Sequence, residues 1–482
     1  MTSSTLPVST PAAEGIDAAG IEGFLDALEA AADIEPHSLM IVRHGHMVAA
    51  GWWAPYTAGR PHLLYSLSKS FTSTALGFAV GEGLIGLDDA VVDYFPEFQA
   101  DITDVGSRSI KVRHAASMAT GHLVDTWDAA VRTDVAEAVR GFLLLPPDRA
   151  PGSVFAYNQP ATYSIATIIQ RLTGQTLSQY LRPRLFDPLG IGEVGWQQHP
   201  SGRDLGFTGL HTTTDAIARL GLLYLQHGAW DGRQLLTEEW VAEATRKQVA
   251  NPDEPNPDWQ QGYGFQFWMA RHGYRGDGAF GQFCIVLPAQ DTVIAITSAT
   301  KDMQSVLDAV WAHVMPALGN TSRAETDADS ALQQRLAALA LPAVRGAAGP
   351  SDAADWADRT FTAAAGGSED RASLVGVEVH IDESGCQVVL RDAESHLPLT
   401  VGTAGWHVSE NATVPGEGVV PVAASGGWSD ADTLRFDVIF LETPHRLQVT
   451  CDRSSGRFVA DWVTKALHGD RLRTMRSPIP PS

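Results

Sequence analysis

Ser66 and Lys69 stand three residues apart in the tetrad Ser66-Leu67-Ser68-Lys69. On a helix, side chains at i and i+3 share one face, so the lysine amine can reach the serine hydroxyl. A serine hydroxyl is a weak nucleophile until a neighbouring base takes its proton. A helix start adds free N–H groups and partial positive charge that favour a developing oxyanion. The chemistry this implies is acyl transfer through a covalent serine ester. The spacing alone is weak evidence, because two of the five lysines carry it and Ser298-Ala299-Thr300-Lys301 is the second copy. Context separates them: the first tetrad opens a long apolar helix after an aromatic-rich strand, whereas the second leaves an apolar strand for a polar turn.

Two further elements could serve the same reaction. Tyr157, in Phe155-Ala156-Tyr157-Asn158-Gln159, follows the turn Pro151-Gly152-Ser153 and precedes a helix expected from about Thr162 to Leu172. A free tyrosine titrates near a pKa of roughly 10. A nearby ammonium would favour tyrosinate, making Tyr157 a general base for Ser66 and an acid for the leaving group. The glycine-rich run Gly276-Asp277-Gly278-Ala279-Phe280-Gly281 enters an apolar strand. Glycine there permits close approach of another backbone, and an exposed amide could form half of an oxyanion hole with that of Ser66. There is no G-x-S-x-G elbow, no H-E-x-x-H zinc motif and no phosphate-binding G-x-x-x-x-G-K-[ST]. No metal or cofactor is expected.

The elements that must position these residues follow from periodicity. Ile21, Phe24, Leu25 and Leu28 have helical spacing, and Leu39–Val42 with Met47–Ala50 around Gly45 reads as a hairpin. Helical pattern dominates from about Val112 to Leu236, and strands return at Gly262–Met269, Phe280–Leu287 and Asp291–Ser298. First and last strands should therefore pair in one α/β sandwich, an antiparallel sheet flanked by helices, with a helical subdomain inserted. A polar, acidic stretch and the break at Ala348-Gly349-Pro350-Ser351, around a short Leu/Ala helix, mark a linker. The expected division is residues 1–318, a linker at 319–350 and an all-β C-terminal accessory domain at 351–482, with strands at Val375–Ile381, Cys386–Leu390, Leu434–Leu441, Arg446–Cys451 and Phe458–Trp462.

Acidic residues exceed basic ones by 56 to 34, a formal charge of −22 that repels phosphate backbones and anionic lipid. Neither nucleic acid nor membrane is an expected partner. Met1 to Gly15 has no basic and apolar leader pattern, and no apolar stretch is long enough for a bilayer, so the expectation is a cytoplasmic enzyme. Cys284, Cys386 and Cys451 have no metal-type spacing and read as free thiols, with a Cys386–Cys451 disulfide left open.

Taken in order, the serine tetrad, the Tyr-Asn element and the glycine-rich strand entry resemble the three motifs of the class C β-lactamase and penicillin-binding-protein superfamily, including its carboxylesterase branch. The resemblance covers roughly Pro11 to Leu318 and extends to Gly83-Leu-Ile-Gly-Leu-Asp-Asp89 and Met118-Ala-Thr-Gly-His122. It implies a β-lactamase-like fold, Ser66 as nucleophile, Lys69 as its activator, Tyr157 as acid/base, and the amides of Ser66 and Ala279 as the oxyanion hole. The family's Tyr-x-Asn reads Tyr157-Asn158-Gln159 here, which assigns the substrate-amide contact to Asn158 or Gln159. Its Lys-Thr-Gly reads Gly276-Asp277-Gly278, so an acid stands where a cation holds a substrate carboxylate. Anionic β-lactams should then bind poorly unless Arg271, His272 or Arg275 supplies the charge. Neutral or amine-bearing small esters and amides fit better, with Trp268, Asp277 and Gly278 at the substrate. A transacylase on the same site, a β-lactamase or D-peptidase, and a binding module with a vestigial site are the alternatives. The C-terminal domain could cap the cleft, join copies into a homo-oligomer or bind a ligand, and the sequence does not choose.

Overall fold

The computed structural model describes residues 6–319, 321–322, 324–347, 349, 355–382, 385–410, 413–414 and 418–479. Helix α1 (Ala18–Ala30) starts on Asp17, whose carboxylate accepts from the Ala19 N–H at 3.0 Å, and it buries Ile21, Phe24, Leu25 and Leu28. It covers one face of an antiparallel sheet made from both ends of the first domain. The strands are β1 (Ile34–Arg43), β2 (His46–Trp52), β3 (Trp268–Ala270), β4 (Gly273–Gly278), β5 (Gln282–Leu287) and β6 (Thr292–Thr300). They lie in the order β2-β1-β6-β5-β4-β3, with Leu39 opposite Ile296 and Cys284 opposite Ala295. The expected pairing of first and last strands is what the sheet displays.

The strand expected over Gly262–Met269 forms only from Trp268, while the glycine-rich Gly273–Gly278 is itself a strand. Periodicity missed β4 because three of its six residues are glycine and two are charged. Its side chains matter less than the closeness it allows, as the site below shows.

The other face of the sheet carries α2 (Ser68–Gly81), α3 (Gln159–Thr173) and α4 (Thr214–Leu225) in one large apolar cluster that includes Phe71, Tyr163, Ile217 and Cys284. Helix α2 is buried from Ser68 through Ala79, so Lys69 is carried into the protein interior by its own helix. Within the 319–350 segment, α5 (Asp327–Ala337) begins with a capping box between Thr326 and Asp329 and packs Leu332 and Leu336 into the cluster on the α1 face of the sheet. The segment is thus an ordered strap where described; its residues 320, 323, 348 and 350, and with them most of the expected break at 348–351, lie outside the described residues.

Beyond it, nine strands form a second sheet with its own core of Trp356, Val377, Val388, Phe436 and Trp462. All neighbours are antiparallel except Arg359–Ala363, which runs parallel to Arg457–Trp462. Gly402 exchanges backbone hydrogen bonds with Ala424 and Gly426 and so ties the His396–Val401 strand to Val422–Trp428. This is the expected all-β domain. It does not stand apart, since Ala423, Ile439 and Leu441 join the apolar cluster of α1 and α5. Cys284, Cys386 and Cys451 are buried and free. Among the described residues no helix is long and apolar enough to cross a membrane.

Candidate active site

Ser66 sits in a short 3-10 turn, Tyr65–Leu67, that runs directly into α2. Tyr65 enters this turn with φ 47, in the left-handed region that side chains other than glycine rarely adopt. The strain at Tyr65 ends at a half-buried Ser66, while Lys69 on the next turn is 1 % exposed. The Lys69 Nζ lies 3.0 Å from Ser66 Oγ and donates to the Phe207 carbonyl at 2.8 Å. Burial drives its pKa down to about 7, against the pull of the Asp125 and Asp277 carboxylates. At neutral pH a substantial fraction of Lys69 is therefore a free amine beside a serine hydroxyl.

Tyr157 leads into α3 and places its ring 4.6 Å from Lys69 Nζ. The ring stacks on Trp268 at 5.4 Å and meets Tyr263 edge-on at 6.1 Å. The tyrosinate expected from a neighbouring ammonium is not favoured here. Burial and then the Asp277 charge push the phenol far above its ordinary value, while hydrogen bonds from the Ser66 and Tyr263 hydroxyls oppose the shift. Tyr157 is a protonated phenol, suited to give a proton rather than take one.

The glycine-rich run packs on the turn that carries Ser66. A Cβ on Gly278 would stand 2.0 Å from the Leu64 carbonyl oxygen, and one on Gly276 2.4 Å from Ser70 Oγ. Only glycine lets β4 lie this close. Ala279 then follows the strand with an N–H that meets no acceptor among the described residues. Ser66, second in its turn, has no acceptor three residues back within it. Two amides are thus left for a substrate oxygen.

A cavity of about 580 Å³ opens on Ser66, Tyr157, Gln159, Trp268, Asp277 and Ala279. Gln159 lines it, and its buried side-chain oxygen has no partner among the described residues. Asn158 does not, and that assignment is corrected. Asn158 is fully buried, and its side-chain oxygen accepts from the Thr126 N–H at 2.8 Å and from Thr126 Oγ1 at 3.0 Å. It fastens the loop that carries Asp125 instead of facing the cavity. Gly278 acts through packing and does not line the cavity.

Asp277 lines the cavity but is not a bare charge, because Arg275 Nε lies 3.1 Å from its Oδ2. Arg275 is fully buried against Trp259, and burial raises the Asp277 carboxyl while the guanidinium opposes. None of the three candidate cations lines the cavity. Arg271 is held by Asp258 and Asp308, Arg275 by Asp277, and the His272 ring packs on Trp311. Ser298 of the second tetrad donates to the Phe280 and Gly281 carbonyls, and Lys301 pairs with Asp370. Among the described residues no group of three or more His, Cys, Asp or Glu could hold a metal. A larger cavity of about 770 Å³, lined by Trp53, Arg335 and Arg446 among others, holds neither Ser66 nor Tyr157.

Comparison with known proteins places the first domain in a family. A family model described as Beta-lactamase matches residues 21–318. The 6-aminohexanoate-dimer hydrolase of Paenarthrobacter ureafaciens is 25 % identical over 289 residues, 55 % of this chain and 73 % of that protein. Penicillin-binding protein 4 of Amycolatopsis lactamdurans is 27 % identical over 268 residues, 48 % of this chain and 70 % of its own. The solved structure of EstCE1, described as a hydrolase with promiscuous acyltransferase activity, shares the fold with a TM-score of 0.50 at 18 % identity, covering 61 % of this chain and 98 % of that one.

Two outcomes follow from the geometry. Gly278→Ala forces β4 off the Leu64 carbonyl and should cost about 1–3 kcal/mol of stability, as overpacking does, together with most acylating activity. An unchanged unfolding midpoint and activity would contradict the packing role. Lys69 binds its proton less readily folded than unfolded, so between about pH 7 and its ordinary value of 10.5 the unfolded chain holds more protons and stability rises with pH. Urea unfolding should show wild type gaining on Lys69→Met by up to about 1.4 kcal/mol per pH unit in that window and staying level below it. Parallel curves throughout would mean that Lys69 is not desolvated.

Proposed function

The chain belongs to the beta-lactamase family of serine hydrolases, and from that premise we propose that it cleaves an ester or amide bond of a small, neutral or amine-bearing molecule through an acyl-enzyme on Ser66. The observation that carries this reading is the Lys69 amine, 3.0 Å from Ser66 Oγ and depressed to a pKa of about 7. In this mechanism Lys69 takes the Ser66 proton as Oγ attacks the substrate carbonyl carbon. The carbonyl oxygen gathers negative charge between the Ser66 and Ala279 N–H groups. Tyr157 donates its proton to the departing oxygen or nitrogen and is reprotonated from the Lys69 ammonium. Water then attacks the acyl carbon and gives a proton to the Lys69 amine, which passes it to Ser66 Oγ as the acyl C–O bond breaks and the acid leaves.

The substrate class rests on charge. Glu254, Asp277 and Asp302 face the cavity, whose lining contains one cation, Lys301, already paired with Asp370. A carboxylate entering there meets net negative charge, whereas an amine is attracted. The partnerless Gln159 oxygen can accept from a substrate N–H. One relative is named for hydrolysis of the dimer of 6-aminohexanoate, an amide that bears an amine at one end and a carboxylate at the other.

Intact-mass spectrometry during turnover of p-nitrophenyl butyrate should show a butyryl adduct in wild type that is absent in Ser66→Ala, with turnover falling by about 10³-fold or more. An adduct or activity that survives in Ser66→Ala would place the nucleophile elsewhere. Nitrocefin, an anionic β-lactam, should react at least about tenfold less efficiently than the ester; the reverse order would overturn the substrate class.

A further inference from the structure

Leu467 lines the same cavity as Ser66, yet it comes from the C-terminal domain, just after the Arg457–Trp462 strand and outside the residues that match the family model. It is 57 % exposed, an apolar side chain at the mouth of a cavity that also holds Phe155, Trp268 and Met303.

The loop that carries it is fastened to the nucleophile turn itself. The His445 Nδ1 lies 2.8 Å from the Thr464 carbonyl, which can only accept, so Nδ1 carries the ring proton and Nε2 is an acceptor. The Tyr65 hydroxyl, 2.7 Å from that Nε2, must then donate to it. Thr464, His445 and Tyr65 thus form one directional chain that ends three residues before Leu467, and Tyr65 is the residue before Ser66. Its ring is buried edge-on against Phe280 at 5.3 Å, next to Ala279. Two further contacts hold the domain in place: the Leu63 N–H donates to the Glu442 carbonyl at 2.9 Å, and Lys301 pairs with Asp370 at 3.2 Å. Beyond Leu467, the His468 ring meets Phe207, whose carbonyl accepts from Lys69.

We infer that the C-terminal domain supplies a wall of the substrate site, that Leu467 determines which sizes of apolar substituent enter it, and that Tyr65 and His445 are positioning residues for that wall. This rests on the proposed acyl transfer at Ser66. The preferred substrates are accordingly those with an apolar group beside the scissile bond that packs against Leu467, with any amine held on the acidic side of the cavity.

The test uses the full-length protein with Leu467→Trp and Leu467→Gly, both tolerable at an exposed position, and Tyr65→Phe, which keeps the buried ring. For each, kcat/KM is measured along a p-nitrophenyl ester series from acetate to octanoate and along acetate esters of alcohols of increasing size, with Ser66 acylation followed by mass. Leu467→Trp should lower the large-to-small ratio in at least one series by about tenfold or more, and Leu467→Gly should raise it. The acetate ester is the internal reference for each variant, so a general loss of activity leaves the ratio unchanged. Tyr65→Phe should shift the ratio in the same sense as Leu467→Gly, mainly through KM. Ratios unchanged in both Leu467 variants, with Ser66 still acylated, would overturn this inference and leave the proposed function standing. Absence of Ser66 acylation in wild type would overturn both.

Discussion

The site depends on the burial of one amine. Lys69 lies on a helix that is buried along almost its whole length, and water cannot solvate an ammonium there. The protein provides two neighbours that a neutral amine can use, the Ser66 hydroxyl and the Phe207 carbonyl. A full negative charge next to Lys69 would restore the ammonium, which could no longer take a proton. The carboxylate in the cavity wall, Asp277, is instead committed to Arg275, which is itself buried against Trp259. The Arg275–Asp277 pair thus limits how far the acid can raise Lys69, and the same acid helps hold Tyr157 protonated.

Around that amine the backbone is drawn unusually close. Gly276 and Gly278 let β4 lie against the Leu64–Ser70 turn, and this closeness brings the free Ala279 N–H to the turn that carries Ser66. The left-handed Tyr65 and Phe280 face one another across the same contact. Strain at both positions is sustained by packing from the C-terminal domain, whose His445 ring lies edge-on to each. The domain that the family match leaves out is therefore part of what holds the turn in shape.

The Ser66–Lys69 pair was legible in the sequence because one helical turn contains it, and the sandwich was legible because hydrophobic periodicity marks α1, β1, β5 and β6. Asn158 was misread because its partner, Thr126, is 32 residues away and no local spacing reports the bond. The Arg275–Asp277 pair is two residues apart on one strand face and could have been read directly, but glycine and charge disguised β4 as a turn. Tyr65–His445, 380 residues apart, has no sequence signal at all. Ser298, with the same tetrad spacing as Ser66, illustrates the converse: on a strand, i and i+3 point to opposite faces, and the two side chains take unrelated partners.

The central claim is that Lys69 is an amine at neutral pH and acts as the base for Ser66. The most direct test is the pH dependence of the single-turnover acylation rate of wild type with a neutral ester. A rate that climbs to a plateau through one apparent pKa of about 7 is the result this account requires. A rate that keeps rising through pH 9 to 10, as an ordinary lysine or tyrosine would dictate, would contradict it.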